Sequence, residues 1–140
     1  MTPRYGIDTS VLVRLVTGDP EDLYALVRER LTRLVTDQGA VLLASNQVIG
    51  EAYIAVQHHY GITKAEAREG LRDVLRSGLV APLNGSAVLD ALAATGGCGL
   101  LDRLIANDYA RVELRTLTLD RRMAQLPEAQ RLVVAEDQEN

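Results

Sequence analysis

Apolar residues fall into two kinds of stretch along this chain: short, nearly continuous runs, and longer segments where they recur every three or four positions. The first pattern predicts buried strands and the second amphipathic helices. Arg4 to Ile7 reads as a buried strand. A helix follows, with Val11, Leu12, Leu15 and Val16 on one face and Thr9 or Ser10 as its cap. Gly18-Asp19-Pro20 breaks it, and Pro20 suits the first turn of a second helix carrying Leu23, Leu26, Val27, Leu31 and Leu34. Val41 to Ala44 predicts another strand. Ser45 or Asn46 then caps a helix to about Tyr60, closed by Gly61. Thr63 and Glu66 have the spacing of a capping box for the next helix. Leu79 to Leu83 predicts a short strand, and Ser86 starts a helix ending near Gly96-Gly97. Asp102 begins a further helix with Leu101, Leu104 and Ile105 inward. Thr116 to Leu119 predicts a strand, Arg121 to Leu126 a short helix, and Leu132 to Ala135 a last strand.

Strands that alternate with helices predict an α/β fold, with a central, mostly parallel sheet of four to five strands between two helical layers. A chain of 140 residues fits one domain, expected over 1–136 with a polar tail at 137–140. Apolar residues make up 47% of it, enough for a core, and the absence of Phe and Trp makes that core aliphatic. The net charge of −4 provides no global basic footprint for nucleic acid, although the carboxylates of a metal site would account for about that much. One cysteine, Cys98, excludes an internal disulfide and a cysteine-rich zinc site, and agrees with a reducing compartment. No run approaches the ~18 apolar residues of a membrane span, and no signal-peptide pattern opens the chain. A soluble cytoplasmic protein is expected.

Four acids stand out against this frame. Asp8 follows Tyr5-Gly6-Ile7, and Asp120 follows Leu117-Thr118-Leu119, so both fall at strand ends. Glu51 and Asp102 lie early in helices. Strands of a parallel sheet end on one edge, where ligands bind. Carboxylates gathered there repel one another, which predicts that at least one titrates above its ordinary value without a cation. Oxygen donors of this kind suit Mg2+ or Mn2+, one or two ions, held directly by some acids and through water by others. Asp8 and Asp102 are the candidates for direct ligands, and Glu51 and Asp120 for direct or water-mediated ones. Such an ion can acidify water and stabilise phosphoryl charge, so the group could orient an attacking water toward a phosphodiester. The neighbouring hydroxyls of Thr9, Ser10 and Thr118 could bond the ion's waters or ligand oxygens. The plainer reading is that nineteen acids in 140 residues place some at strand ends by chance, and that an Asp before a helix serves as its N-cap.

Tyr5-Gly6-Ile7-Asp8-Thr9-Ser10-Val11-Leu12-Val13-Arg14 resembles the opening of a PIN-domain ribonuclease, and Leu15-Val16-Thr17-Gly18-Asp19-Pro20 its continuation in VapC-type toxins. Val48-Ile49-Gly50-Glu51-Ala52-Tyr53, then Tyr60-Gly61-Ile62-Thr63, is similar to the second acidic motif. Asp102-Arg103-Leu104-Ile105-Ala106 is similar to the third, and Thr116-Leu117-Thr118-Leu119-Asp120-Arg121-Arg122 to the fourth. Each motif is short, but four in the right order and spacing are specific. Leu119 departs from the pattern, standing where an aromatic residue often precedes the fourth Asp. The resemblance implies a PIN-like fold, metal-binding roles for Asp8, Glu51, Asp102 and Asp120, and RNA cleavage with magnesium or manganese. It also implies a VapB-type antitoxin as partner, docking near the helices of Leu23–Leu34 and Ala65–Leu75, and a toxin–antitoxin role. A homodimer is expected as well.

Arg14, Arg103, Arg121 and Arg122 lie within a few residues of the acids and are candidates for RNA phosphate contacts, or ordinary solvated residues. Asp108 falls six residues after Asp102, where a helix points the two apart, and on the stripe of Leu101 and Leu104; a structural or peripheral role is favoured, with a supplementary part in the site as the alternative. His58 and His59 face different sides of a helix, and Cys98 lacks a His-Asp partner pattern. A haloacid dehalogenase-like phosphatase also begins with a strand-end Asp, but wants a second Asp two residues on, where Ser10 stands. A PIN-fold binding module without nuclease activity is the non-catalytic alternative.

Overall fold

The structure is a computed structural model that describes residues 2–134. The polar tail expected at 137–140 lies outside the described residues. The chain divides into two compact units, Met1–Ala93 and Ala94–Asn140. Among the described residues five strands pair, all in parallel, three in the first unit and two in the second. The α/β class and the parallel direction are as expected, with the strands divided between two sheets.

In the first unit, β1 (Arg4–Gly6), β2 (Val41–Ala44) and β3 (Ala81–Pro82) form a sheet in the order β1-β2-β3. Arg4 aligns with Val41 and Leu43 with Ala81. β1 was expected to be buried, yet all three of its residues are exposed and only the following Ile7 is buried. Within the first unit's sheet, β1 stands at the end of the order and pairs with β2. Helix α1 (Thr9–Thr17) packs on α3 (Asn46–Tyr60), α2 (Glu21–Gln38) and α4 (Lys64–Leu75), and α5 (Ser86–Ala93) packs on α4. Ile49, Ala52, Tyr53 and Val56 recur at helical spacing on the buried face of α3, and Ala67, Leu71 and Leu75 do so on α4. A Cβ at Gly70 would lie 3.1 Å from Val16 Cγ1, so a small residue there lets α4 approach α1 closely.

Capping follows the sequence where side-chain options are few. Thr63 and Glu66 make the reciprocal bonds of a capping box, and Gly61 ends α3 with φ 63°. Ser45, not Asn46, caps α3 by accepting from the Val48 amide. Pro20 precedes α2 rather than opening its first turn. Helix α2 buries no residue: Tyr24, Val27, Leu31, Leu34 and Val35 are half-buried, while Leu23 and Leu26 are 41% and 56% exposed. The inward stripe is therefore one step round from the expected one. A cleft of about 430 Å³ lies between α2 and the end of α4, lined by Leu15, Tyr24, Arg28, Thr32, Val35, Asp73, Val74 and Leu79 among others.

In the second unit, α6 (Leu100–Arg111) is followed by β4 (Thr116–Thr118), a 3-10 turn (Met123–Gln125) and β5 (Ala129–Arg131). Cys98, Ala106 and Met123 form a small buried cluster, with Leu126 packed against it. On α6, Leu100 and Leu104 are buried, whereas Leu101 and Ile105, expected inward, are exposed. Both pairs have four-residue spacing on adjacent stripes of one helix, so the pattern does not distinguish them. The last strand lies at Ala129–Arg131 rather than over the apolar run from Leu132, and Ala135 lies outside the described residues. Pairing decides its position: Thr116 aligns with Ala129, and the Leu132 amide donates to the Thr118 carbonyl at 2.8 Å. Leu132, Val133 and Val134 are exposed. Among the described residues, no helix is long and apolar enough to cross a membrane.

Candidate active site

Asp8 stands where β1 gives way to α1. The Ile7 amide donates to the Leu43 carbonyl at 2.9 Å, so sheet pairing holds the chain up to the residue before it. Asp8 itself has extended backbone, φ −96° and ψ 179°, and its side chain caps α1. Its Oδ1 accepts from the Val11 amide at 3.2 Å and from the Ser10 hydroxyl at 2.6 Å. Thr9 and Ser10, the expected caps, thus lie inside the helix. The plainer reading of an Asp before a helix is realised here, and it leaves the carboxylate exposed at the strand end. Asp8 also borders a cleft of about 430 Å³ lined by Arg4, Tyr5, Ile7, Leu43, Ser45, Val48 and Leu83 among others.

Packing of α1 on α3 links Asp8 to Glu51 through consecutive residues. While Ser10 serves Asp8, the Thr9 hydroxyl donates to Glu51 Oε1 at 2.7 Å. The Gln47 amide nitrogen, one turn earlier on α3, donates to Glu51 Oε2 at 3.2 Å. Repulsion predicted a raised pKa, but both carboxyls are held below their ordinary values. For Asp8 the Ser10 hydroxyl is the main cause and the Val11 amide the next; for Glu51 the causes are the Thr9 hydroxyl and then Gln47. Donated hydrogen bonds favour the charged form. These donors are neutral, so the two acids are ionised at neutral pH and keep their charge available to a cation.

Asp102 and Asp120 belong to the second unit. Asp102 is half-buried in the first turn of α6, whose N-cap, Gly99, offers no side chain. Asp120 follows β4 by two residues. Its amide donates to the Thr118 hydroxyl oxygen at 3.0 Å, and its Oδ1 accepts from the amide of Met123, the first residue of the 3-10 turn, at 2.8 Å. Leu119, at the departure from the motif, is 66% exposed. Among the described residues, no three His, Cys, Asp or Glu side chains gather as a metal-ligand group.

The four arginines divide into two kinds. Arg14 Nη1 donates to the Asp19 carbonyl and, at 3.5 Å, to the Tyr60 hydroxyl, tying the end of α1 to the end of α3. Arg103 donates from Nε to the Cys98 carbonyl at 3.2 Å and from Nη2 to the Gly96 carbonyl at 3.0 Å, holding the Gly-rich approach to α6. Arg121 and Arg122 are exposed. Asp108 is exposed, as are His58 and His59 in the last turn of α3, and Cys98 is buried. Gln47 was missed by the sequence reading, although its position four residues before Glu51 on a helix was the available signal.

A parallel α/β scaffold that presents an ionised aspartate at a strand end and an ionised glutamate on the helix packed beside it, both served by neutral donors, has the makings of a nuclease-type acidic site. The residues agree with that class: carboxylate and hydroxyl oxygens suit a hard divalent cation, and the groups bonded to Asp8 and Glu51 are hydroxyls and amides. The chain belongs to the PIN domain family, whose profile matches residues 5–129, a span that includes all four acids and runs through both units. PIN is a nuclease-type fold, and its members are typically metal-dependent nucleases that bind RNA. No curated protein and no solved structure matches the chain.

Proposed function

We propose that this protein is a magnesium- or manganese-dependent endoribonuclease, the toxin of a VapBC-type toxin–antitoxin pair, acting in the cytoplasm as a single PIN domain over residues 1–136. The observation that carries the catalytic part is the ionised Asp8–Glu51 pair with its neutral donors, in a chain of this family. Asp8 and Asp102 would hold the ion directly, and Glu51 and Asp120 directly or through water. When bound, Mg2+ or Mn2+ supplies charge stabilisation at the phosphoryl group and a more acidic water. The chain's own residues prepare for this. Ser10 and the Val11 amide orient Asp8, Thr9 and Gln47 orient Glu51, and the Thr118 hydroxyl fixes the backbone leading to Asp120. Arg121 and Arg122, exposed beside Asp120, are the arginines best suited to RNA phosphates, because Arg14 and Arg103 are engaged with backbone carbonyls.

The toxin assignment rests on the resemblance of the motifs to the VapC branch, and the surface agrees with it. Helix α2 exposes Leu23 and Leu26 beside Arg28, Arg30 and Arg33, and the cleft between α2 and α4 could receive an amphipathic antitoxin helix. A homodimer through such helices belongs to the same reading. The family assignment sets aside the haloacid dehalogenase-like alternative.

The experiment is RNA cleavage by purified protein with Mg2+ or Mn2+, with and without chelator, beside Asp8→Asn and Asp102→Asn. Cleavage should need the metal and vanish in both variants. Wild-type rates in either variant would overturn the site, and an inactive wild type would favour a binding module. Expression alone should slow bacterial growth, with rescue by the neighbouring small gene. Harmless expression would leave a PIN nuclease outside the toxin branch.

A further inference from the structure

We infer that Gln47 is a positioning residue for the nuclease reaction, closing with Thr9 a clamp that holds the Glu51 carboxylate by both oxygens in the orientation a divalent cation needs. The inference rests on the nuclease reading above. Thr9 reaches Oε1 from the first turn of α1 at 2.7 Å, and Gln47 reaches Oε2 from the first turn of α3 at 3.2 Å. One donor comes across the helix–helix contact and the other from Glu51's own helix, so the carboxylate is restrained in two directions.

An exposed glutamate without such contacts samples many rotamers, and a ligand must then supply the cost of ordering it. A clamp formed beforehand removes that cost from binding. Both donors are neutral. A lysine at position 47 would restrain Glu51 equally well but would compensate its charge and compete with the incoming cation. Gln47 orients without neutralising. A carboxylate has about four lone-pair sites, and the clamp occupies one on each oxygen, so both oxygens keep capacity for a cation or its waters. Thr9 alone would leave the group free to swing about its bond to Oε1.

The test uses the full chain with Mn2+ as probe, comparing the wild type with Gln47→Leu, Thr9→Val and the double variant. Gln57→Leu is the control, since Gln57 lies on the same helix and donates to the Tyr53 carbonyl at 2.9 Å. Calorimetry should find Mn2+ binding weakened roughly tenfold in Gln47→Leu, the lower end for loss of a partner that orients a ligand. The Mg2+ needed for half-maximal cleavage should rise by the same factor, with the rate at saturating metal and the KM for RNA close to wild type. The double variant should lose less than the product of the single losses, because the two donors act on one carboxylate. Metal-free melting of Gln47→Leu should match the wild type, which a merely helix-stabilising role would not predict. Unchanged Mn2+ affinity in Gln47→Leu, or a loss of affinity matched by a loss of stability, overturns the proposal. A metal-independent measurement separates this from failure of the nuclease reading. Side-chain NMR couplings of Glu51 should report one rotamer in the wild type and averaging in Gln47→Leu. Averaging already in the wild type overturns the clamp. One rotamer without any Mn2+ binding overturns the nuclease reading, and with it the clamp's assigned purpose.

Discussion

Arg103 offers a sharp choice between two roles, because it sits next to Asp102 yet spends its guanidinium on the backbone. Replacing it with alanine removes donors to the Cys98 and Gly96 carbonyls, at 3.2 and 3.0 Å. Hydrogen bonds from a charged group are worth about 1.5–3 kcal/mol when well buried. Arg103 is half-buried and one bond lies at the surface, so water recovers part of the loss and the two together amount to about 2 kcal/mol. The loop has no obvious substitute, since Gly97 has φ 67° and its missing Cβ would sit 3.3 Å from Arg103 Nη2. For a chain of this size about 2 kcal/mol corresponds to a fall in melting temperature of roughly 6–8 °C. Arg103→Lys should recover part of it, because an ammonium cannot span both carbonyls as a planar guanidinium does. Urea denaturation and amide exchange at the start of α6 would measure both. An Arg103→Ala protein within ~0.5 kcal/mol of wild type, the range of an ordinary surface change, but with weakened RNA binding would refute the reasoning and return Arg103 to the phosphate-contacting role.

Leu71 is fully buried on α4, and Leu71→Ala should cost about 2–5 kcal/mol in urea denaturation, a loss below 1 kcal/mol showing that the helix interface is not as described. Thr63→Ala should remove about 1 kcal/mol by opening the capping box. In the same box the Thr63 backbone amide, then its hydroxyl, holds the Glu66 carboxyl below its ordinary value of 4.5. The contribution is therefore fully present above that value and lost as pH falls through the lower folded one, and Glu66→Gln should flatten this part of an acid stability profile. Glu113 occupies the left-handed region at φ 63°, so Glu113→Gly should raise stability by about 0.5–1 kcal/mol, and a destabilised variant would show that its side chain contributes more than its backbone costs.

Much of this protein was legible in its sequence wherever the information is local. The capping box at Thr63 and Glu66, the left-handed stop at Gly61 and the strand at Val41–Ala44 depend on residues a few positions apart, and all three stand as read. The order and spacing of the motifs around Asp8, Glu51, Asp102 and Asp120 led to the family. Tertiary structure decided what depends on distant partners. Asp8 rather than Thr9 or Ser10 caps α1, since Thr9 is drawn to Glu51, forty-two residues away. On α6 two adjacent apolar stripes were equally eligible, and packing buried Leu100 and Leu104. The last strand lies at Ala129–Arg131 because pairing with Thr116–Thr118 sets its register, whatever the hydrophobicity of Leu132 to Val134. Arg14 also reaches the Tyr60 hydroxyl, forty-six residues away, a contact that no local pattern announces. A helix or turn is a sum of near-neighbour preferences that the chain carries with it, whereas register, burial phase and the partner of a long side chain are settled by which surfaces meet.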